Sequence, residues 1–140
     1  MRLIPAALIA VAFLSAPLHA APGTCNGVPG TVETVRKPSG GTHTTIQAAV
    51  NAALAAKPLG SNWCINVDSS TYAETVTVTG NITFTYSTNT LTIQSDPGLV
   101  STRTRVSPGS ASAFDIKSAS VNIIGIDIVP TASVAYGITA

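Results

Sequence analysis

The chain has 140 residues, of which 9% are charged, and its formal net charge is +1. With so few charges it has no basic stripe, which argues against a nucleic-acid partner. Its length suits one small domain. The sequence is rich in Thr, Ser, Asn, Val and Ile, a composition that favours β-strands over a helical bundle.

Residues 1–20 have the pattern of a secretory signal peptide. A positive start at Arg2 precedes the apolar run Leu3–Leu14, and "SAPLHA" ends in a small residue. We predict cleavage after Ala20. A membrane anchor is the alternative, but the run is shorter than the roughly 20 residues that a spanning helix needs. The expected location is secreted or cell surface, with no membrane span after cleavage.

Export would place the two cysteines, Cys25 and Cys64, in an oxidising compartment. Two cysteines allow one intramolecular pairing, so we predict a Cys25–Cys64 disulfide. Signal cleavage would leave His43 as the one histidine, and its spacing from the cysteines does not fit a zinc site. We therefore expect no metal and no cofactor.

An irregular leader and a helix are predicted next along the chain. Residues 21–43 are rich in Gly and Pro and allow at most one short strand, Thr31–Val35. Residues 44–58 form the predicted N-terminal cap helix, with Thr44 and Gln47 as a capping box. Its apolar positions follow one helical face: Ile46, Ala49, Val50, Ala53 and Leu54.

Residues 62–140 alternate apolar and polar side chains, as strands do. No Asn-Gly or Asp-Gly pair separates these runs, which counts against a meander of hairpins. The predicted strands are Trp63–Val67, Thr75–Thr79, Ile82–Tyr86, Leu91–Gln94, Arg103–Val106, Ala113–Lys117, Val121–Ile124, Ile126–Val129 and Tyr136–Thr139.

A regular repeat would explain these runs as a coiled stack of strands. In one register, Thr104–Val106 lies one repeat before Ile126–Ile128, so Arg105 and Asp127 would point outward one above the other as a surface ion pair. A second register rests on an apolar pair that recurs at nearly the same interval: Leu91 and Ile93, then Phe114 and Ile116, then Tyr136 and Ile138. The three runs within "FDIKSASVNIIGIDIV" would then be the three sides of one coil, with a corner at Gly125.

The segments "TTIQAAVNAAL", "STYAETVTV", "NTLTIQSDPG" and "FDIKSASVNIIGIDI" resemble the N-terminal portion of pectin-lyase-like right-handed parallel β-helix proteins. They are most similar to the opening of the pectinesterases, over about residues 42–129, although Ser70 stands where that family usually has Gly. The resemblance implies an all-β, right-handed parallel β-helix solenoid with an N-terminal capping α-helix. Residues 62–140 would be its first coils, incomplete at the C-terminus.

The resemblance carries over structural positions and no catalytic residue, because the catalytic aspartates, glutamines and arginine of the family come from later coils. Tyr72 and Glu74 match a turn of the family. The positions that match the cap or the coil interior are Ile46, Ala49, Val50, Val76, Val78, Phe114, Ile116, Val121, Ile123, Ile126 and Ile128.

Few residues outside that comparison could carry chemistry. Asp115 and Asp127 are the best exposed carboxylate pair, but the strand Val121–Ile124 between them should place them on different faces, so they could not converge on a glycosidic bond. We interpret His43 as a surface residue flanking the helix. "NIT" at Asn81 has the form of a glycosylation sequon.

Two functions remain open from the sequence. The first is the N-terminal part of a secreted or cell-surface β-helix protein that acts on or binds polysaccharide, as pectinesterases or polysaccharide lyases do, with its catalytic residues outside this segment. The alternative is a non-catalytic surface scaffold or adhesin-like protein. If the chain ends at Ala140, the strand Tyr136–Thr139 would leave an uncovered edge, and we expect self-association.

Overall fold

The computed structural model describes residues 21–25, 28–56, 62–79, 90–98, 103–109, 111–117, 120–134 and 136–140. These residues are mostly β-structure. They form one helix, α1 (Ile46–Ala55), and eleven strands: β1 (Ala21–Cys25), β2 (Val28–Val35), β3 (Asn62–Val67), β4 (Thr71–Tyr72), β5 (Val76–Thr79), β6 (Leu91–Ser95), β7 (Thr104–Val106), β8 (Phe114–Lys117), β9 (Val121–Ile124), β10 (Ile126–Ile128) and β11 (Ile138–Thr139).

The strands form three sheets, and the chain visits them in rotation. Sheet one has the order β1-β2-β3-β6-β9, sheet two β10-β7-β4, and sheet three β11-β8-β5. Apart from the antiparallel pair β1–β2, all of these pairings are parallel. From β3 onward, each successive group of three strands therefore adds one strand to each sheet.

The segment 114–129 contributes one strand to each sheet, as predicted. Its strands β8, β9 and β10 belong to sheets three, one and two. Gly125 lies between β9 and β10 with φ +67°, a left-handed conformation that side chains disfavour. This glycine therefore lets the chain turn from one sheet to the next.

One predicted register is confirmed and the other is wrong. Thr104–Val106 pairs with Ile126–Ile128, residue for residue, as expected. Leu91, however, aligns with Trp63 and Val121 in sheet one, whereas Phe114 aligns with Ile138 in sheet three. Alternation of apolar residues is the same in every sheet, so the pattern alone could not assign a strand to its sheet.

The core lies between the three sheets and is closed on one side by α1. The predicted cap and interior positions are confirmed: Ile46, Ala49, Val50, Val76, Val78 and Phe114 are buried, while Ile116, Val121, Ile123, Ile126 and Ile128 are partly buried against the same cluster. The partly buried residues belong to β8 and to the last group of strands. Among the described residues, no strand covers the outer edges of β9, β10 and β11.

The segment before α1 is more regular than the sequence predicts. The predicted strand Thr31–Val35 is the second half of β2, which pairs with both β1 and β3. Gly30 allows this approach, because a Cβ there would collide with the carbonyl oxygen of Asn62. The Gly and Pro residues of β1 and β2 therefore fit an edge hairpin. Residues 36–43, which include Pro38, Gly40 and Gly41, form no strand or helix, as the predicted irregular leader requires.

Three predictions concern parts of the chain that the structure leaves undescribed: the signal peptide at residues 1–20, the sequon at Asn81 and the strand Ile82–Tyr86. The side chain of Cys25 is also outside the described residues, so the disulfide with the buried Cys64 stays a prediction. No helix in the described part of the chain is long and apolar enough to cross a membrane.

Candidate functional site

The carboxylates are the natural starting point for a search for chemistry, since the chain has six and the structure describes all of them. Four of them lie around α1 and the ends of β3 and β6: Glu33, Asp68, Glu74 and Asp96. The other two, Asp115 and Asp127, lie on outer sheet faces. Each has a cationic or hydrogen-bonding partner. Their contacts decide what each can do.

Asp68 follows β3 at the corner between sheets one and two. One carboxylate oxygen accepts from Tyr72 Oη at 2.7 Å and from the Ser70 N–H at 3.0 Å, and the other accepts from the Lys37 N–H at 2.9 Å. Burial raises the pKa of Asp68, but these hydrogen bonds together outweigh it and lower the pKa below its usual range. Asp68 is therefore an ionised acceptor and a poor proton donor.

Tyr72 is fully buried beside this carboxylate. Burial first, and then the hydrogen bond to Asp68 and its negative charge, raise the pKa of the Tyr72 phenol far above its usual value, so the hydroxyl remains a donor. Lys37 covers the ring, with Nζ 4.5 Å from the ring centre and 3.0 Å from the Thr71 carbonyl oxygen. The family comparison predicted a turn at Tyr72, but the residue lies in the short strand β4.

Asp96 occupies the equivalent corner one group of strands later. The ends of β3 and β6 align, with Val67 beside Ser95, and the Asp96 N–H donates to the Val67 carbonyl. Asp68 and Asp96 therefore follow neighbouring strands of one sheet, about 4.8 Å apart, whereas the predicted pair Asp115 and Asp127 lies on different sheets. Arg36 pairs with Asp96 at 2.9 Å.

This pair was not predicted from the sequence, although a signal existed. Asp68 and Asp96 are separated by the same interval as the aligned Trp63 and Leu91. A glycosidase pair needs one protonated carboxyl group as general acid. Asp68 has a lowered pKa and Asp96 is held by Arg36, so the contacts fit a corner brace better than a hydrolytic pair.

Glu74 binds the N-terminus of α1. Its two oxygens accept from the N–H groups of Ile46 and Gln47, each at 3.0 Å. The N-cap is Thr45, whose hydroxyl accepts from the Ala48 N–H at 3.2 Å, rather than the predicted Thr44. A carboxylate at this position satisfies unpaired helix donors and complements the helix dipole.

Gln47 does not complete a capping box either. Its side-chain amide bonds to the backbone of β5: Oε1 accepts from the Thr77 N–H at 2.6 Å, and Nε2 donates to the Thr77 carbonyl at 3.0 Å. The amide therefore occupies the free edge of sheet three as a neighbouring strand would. These contacts give Glu74 and Gln47 structural roles.

Glu33 points inward from β2 and is 5% exposed. Its Oε2 atom lies 3.2 Å from Nε2 of His43, which is 21% exposed at the side chain. The prediction of a surface histidine is therefore wrong. The segment before α1 bends back to β2, where the His43 N–H donates to the Thr34 carbonyl at 3.0 Å.

Asp115 and Asp127 lie on different sheets, as predicted, and do not converge. Asp115 pairs with Lys117 at 2.9 Å along one strand. Asp127 does stack on Arg105, but its ion pair is with Arg103, at 3.4 Å. Arg105 is exposed and forms no ion pair within the described part of the chain.

No group of three or more His, Cys, Asp or Glu side chains that could hold a metal ion occurs among the described residues. In comparisons with known proteins, no family model, curated protein or solved structure matches this chain. The contacts within the chain are therefore the direct evidence on its function.

Proposed function

We propose that this chain is the capped N-terminal part of a secreted or cell-surface right-handed parallel β-helix of the pectin-lyase-like kind, and that it binds polysaccharide. The observation that carries the proposal is the rotation of the chain through three parallel sheets beneath α1. Right-handedness is the strong preference for connections between parallel strands. The signal-like residues 1–20 support export.

The carbohydrate assignment rests on the resemblance to pectinesterases together with the character of one outer face. On sheet two, Thr71, Arg105 and Asp127 align across three strands. A hydroxyl, a guanidinium group and a carboxylate at strand spacing offer donors and acceptors to the hydroxyl groups of an extended sugar chain. Arg105 is the exposed cation of this row.

The catalytic residues of such a protein would lie outside this segment. Each of the six carboxylates has a charged or hydrogen-bonding partner within the chain, which favours the second candidate, a non-catalytic scaffold or adhesin-like β-helix. Either way, this chain would supply a cap and a sheet surface rather than a reaction centre.

The test is retention of the purified chain on immobilised pectin, on its de-esterified form and on cellulose. We expect retention on at least one polymer, weakened by Arg105→Ala and unchanged by the matched variant Lys117→Ala on sheet three. We also expect neither methanol nor unsaturated products from pectin. Release of either product would overturn the non-catalytic assignment, and absence of retention on all three polymers would overturn polysaccharide binding.

We further propose self-association for a chain that ends at Ala140. Four large apolar side chains of the described residues are exposed, and all lie between positions 124 and 138: Ile124, Val129, Tyr136 and Ile138. They lie in or next to β9, β10 and β11, whose open edges can pair with other strands. Light scattering should show a mass that rises with concentration and falls in Ile138→Lys. A monomer at all concentrations would contradict this proposal.

A further inference from the structure

Positive charge is concentrated on the outer side of sheet two. Lys37, Arg103 and Arg105 lie on or beside this face with a single carboxylate, Asp127, so it carries three cations against one anion. The described residues as a whole contain five Lys or Arg side chains against six carboxylates. Neighbouring cations repel one another, and a face with such an excess attracts an anionic partner.

Two of these cations have no carboxylate partner among the described residues. Asp127 pairs with Arg103 at 3.4 Å, and neither Arg105 nor Lys37 takes part in an ion pair there. The Lys37 ammonium donates to the Thr71 carbonyl at 3.0 Å. Because an ammonium group has three N–H donors, Lys37 retains donors for a ligand.

Lys37 and Arg105 flank Thr71 from opposite sides. The carbonyls of Ser70 and Tyr72 accept hydrogen bonds from the β7 segment, whereas the Thr71 carbonyl between them accepts from Lys37. On the other side, Arg105 of β7 aligns with Thr71 across about 4.8 Å. All three side chains of this group are exposed. The Thr71 hydroxyl is thus placed between an ammonium and a guanidinium group.

We infer that Lys37, Thr71 and Arg105 form a subsite for a tetrahedral oxyanion, namely a sulfate or phosphate ester group carried by a polysaccharide. The guanidinium fork of Arg105 offers paired N–H donors, and the ammonium and the hydroxyl each add another. The three terminal oxygens of such an ester can each accept from a different group. A carboxylate has two oxygens, and the fork would occupy both. The polymer rests on the function proposed above, but the anion site does not.

Inorganic sulfate and inorganic phosphate test the anion site without any sugar. Added to the purified chain at constant ionic strength, at least one of these ions should shift the backbone amide NMR signals of Thr71 and Arg105 in a saturable way. Acetate should bind about tenfold more weakly, because it leaves one donor group without a partner. Equal affinity for acetate would overturn the tetrahedral preference, and the absence of saturable shifts with both inorganic ions would overturn the site.

Three charged dextrans of equal charge density then test the group on a polymer: dextran sulfate, dextran phosphate and carboxymethyl dextran. At about 0.15 M salt, where long-range attraction is screened, we expect at least one ester form to bind about tenfold more tightly than the carboxymethyl form. The tighter of the two esters identifies the group. Equal binding of all three dextrans would overturn the inference, because general charge attraction would then explain it.

Variants locate the site on the exposed face. Arg105→Gln should weaken binding to the preferred dextran about tenfold, and Thr71→Val, which keeps the shape of the side chain, should weaken it severalfold. Lys117→Gln makes a matched loss of charge on sheet three and should change binding less than about twofold. Thermal unfolding checks that each variant is folded. Equal weakening by Lys117→Gln and Arg105→Gln would overturn this location.

The anion site and polysaccharide binding can be separated by the same measurements. Retention on pectin or cellulose without saturable shifts from sulfate or phosphate would overturn the anion site and leave polysaccharide binding in place. Saturable shifts without retention on any polysaccharide would overturn the polymer and leave the anion site in place.

Discussion

Tyr72 and Asp68 show at the residue scale how a buried charge is stabilised in this protein. The carboxylate accepts hydrogen bonds from one phenol and two backbone N–H groups, and the phenol is fully buried behind Lys37. Removing one donor would leave a largely buried oxygen with fewer partners. Such losses cost about 1–3 kcal/mol.

The variant Tyr72→Phe should therefore lower the free energy of unfolding by about 1–3 kcal/mol at pH 7. It should also reduce the acid sensitivity of the protein. Asp68 has a lowered pKa in the folded state, so it contributes stability above the ordinary aspartate pKa of about 3.9, and this is lost as the pH falls through the lowered value. Chemical denaturation at pH 7 and at pH 2–5 measures both effects. If Tyr72→Phe loses as much stability between pH 5 and pH 2 as the unmodified protein does, the proposed role of the Tyr72–Asp68 hydrogen bond is contradicted.

Glu74 is the second residue with a measurable role. Glu74→Gln should destabilise the protein by about 1–2 kcal/mol, because a neutral amide binds the helix N-terminus less well than a carboxylate does. Asp115→Asn makes the same chemical change on an outer sheet face and should cost less than about 0.5 kcal/mol. Equal losses in the two variants, measured by thermal unfolding, would show that Glu74 has no special contact with α1.

At the element scale, α1 is attached to the sheets by polar contacts as well as by its buried face. Gln47 bonds to both backbone groups of Thr77, and Glu74 bonds to the first N–H groups of the helix. Sheet one continues into β2 and β1 at the same end, and Lys37 bonds to the Thr71 carbonyl of sheet two. Each sheet is thus covered or bonded at the helix end.

The variant Gln47→Glu should weaken the attachment of α1 by about 1–3 kcal/mol. A carboxylate could still accept from the Thr77 N–H, but it could not donate to the Thr77 carbonyl and would lie near Glu74. Hydrogen exchange of the α1 and β5 amides should accelerate together. Asn122→Asp, the same amide-to-carboxylate change at an exposed position of β9, is the control, and similar exchange in both variants would contradict this role of Gln47.

Much of this element-level structure was predictable from the sequence, and the failures have physical causes. The helix and most strands follow from periodicity, and the corner at Gly125 from a break in alternation. The tertiary partners of Gln47 and Glu74 were not predictable, because contacts between residues far apart in the sequence leave no local pattern. For the same reason the pair Asp68–Asp96 required the register of sheet one, and the pair Glu33–His43 required the return of the segment before α1 to β2.

At the scale of the whole molecule, burial falls from the helix end to the last strands. In one aligned column of sheet one, Ile65 and Ile93 are fully buried, whereas Ile123 is partly exposed. The cost of a cavity depends on how completely a side chain is enclosed. The stability of the molecule should therefore be distributed unevenly along the stack.

We expect Ile93→Ala to cost about 2–5 kcal/mol and Ile123→Ala clearly less, since part of the Ile123 side chain is already in contact with water. Chemical denaturation of the two variants makes this comparison with one substitution at two depths of the same column. An equal or larger loss for Ile123→Ala would contradict the graded burial, unless scattering shows that self-association covers Ile123.

The core, the aligned columns and the open edges all depend on the stacking of aligned parallel strands. NMR contacts between backbone protons of sheet one are the direct test of this stacking. Parallel stacking should give contacts in register that link Trp63 to Leu91 and Leu91 to Val121. Short contacts between facing α-protons of these strands would indicate antiparallel pairing and would contradict it, as would contacts from Leu91 to Phe114 in place of Val121.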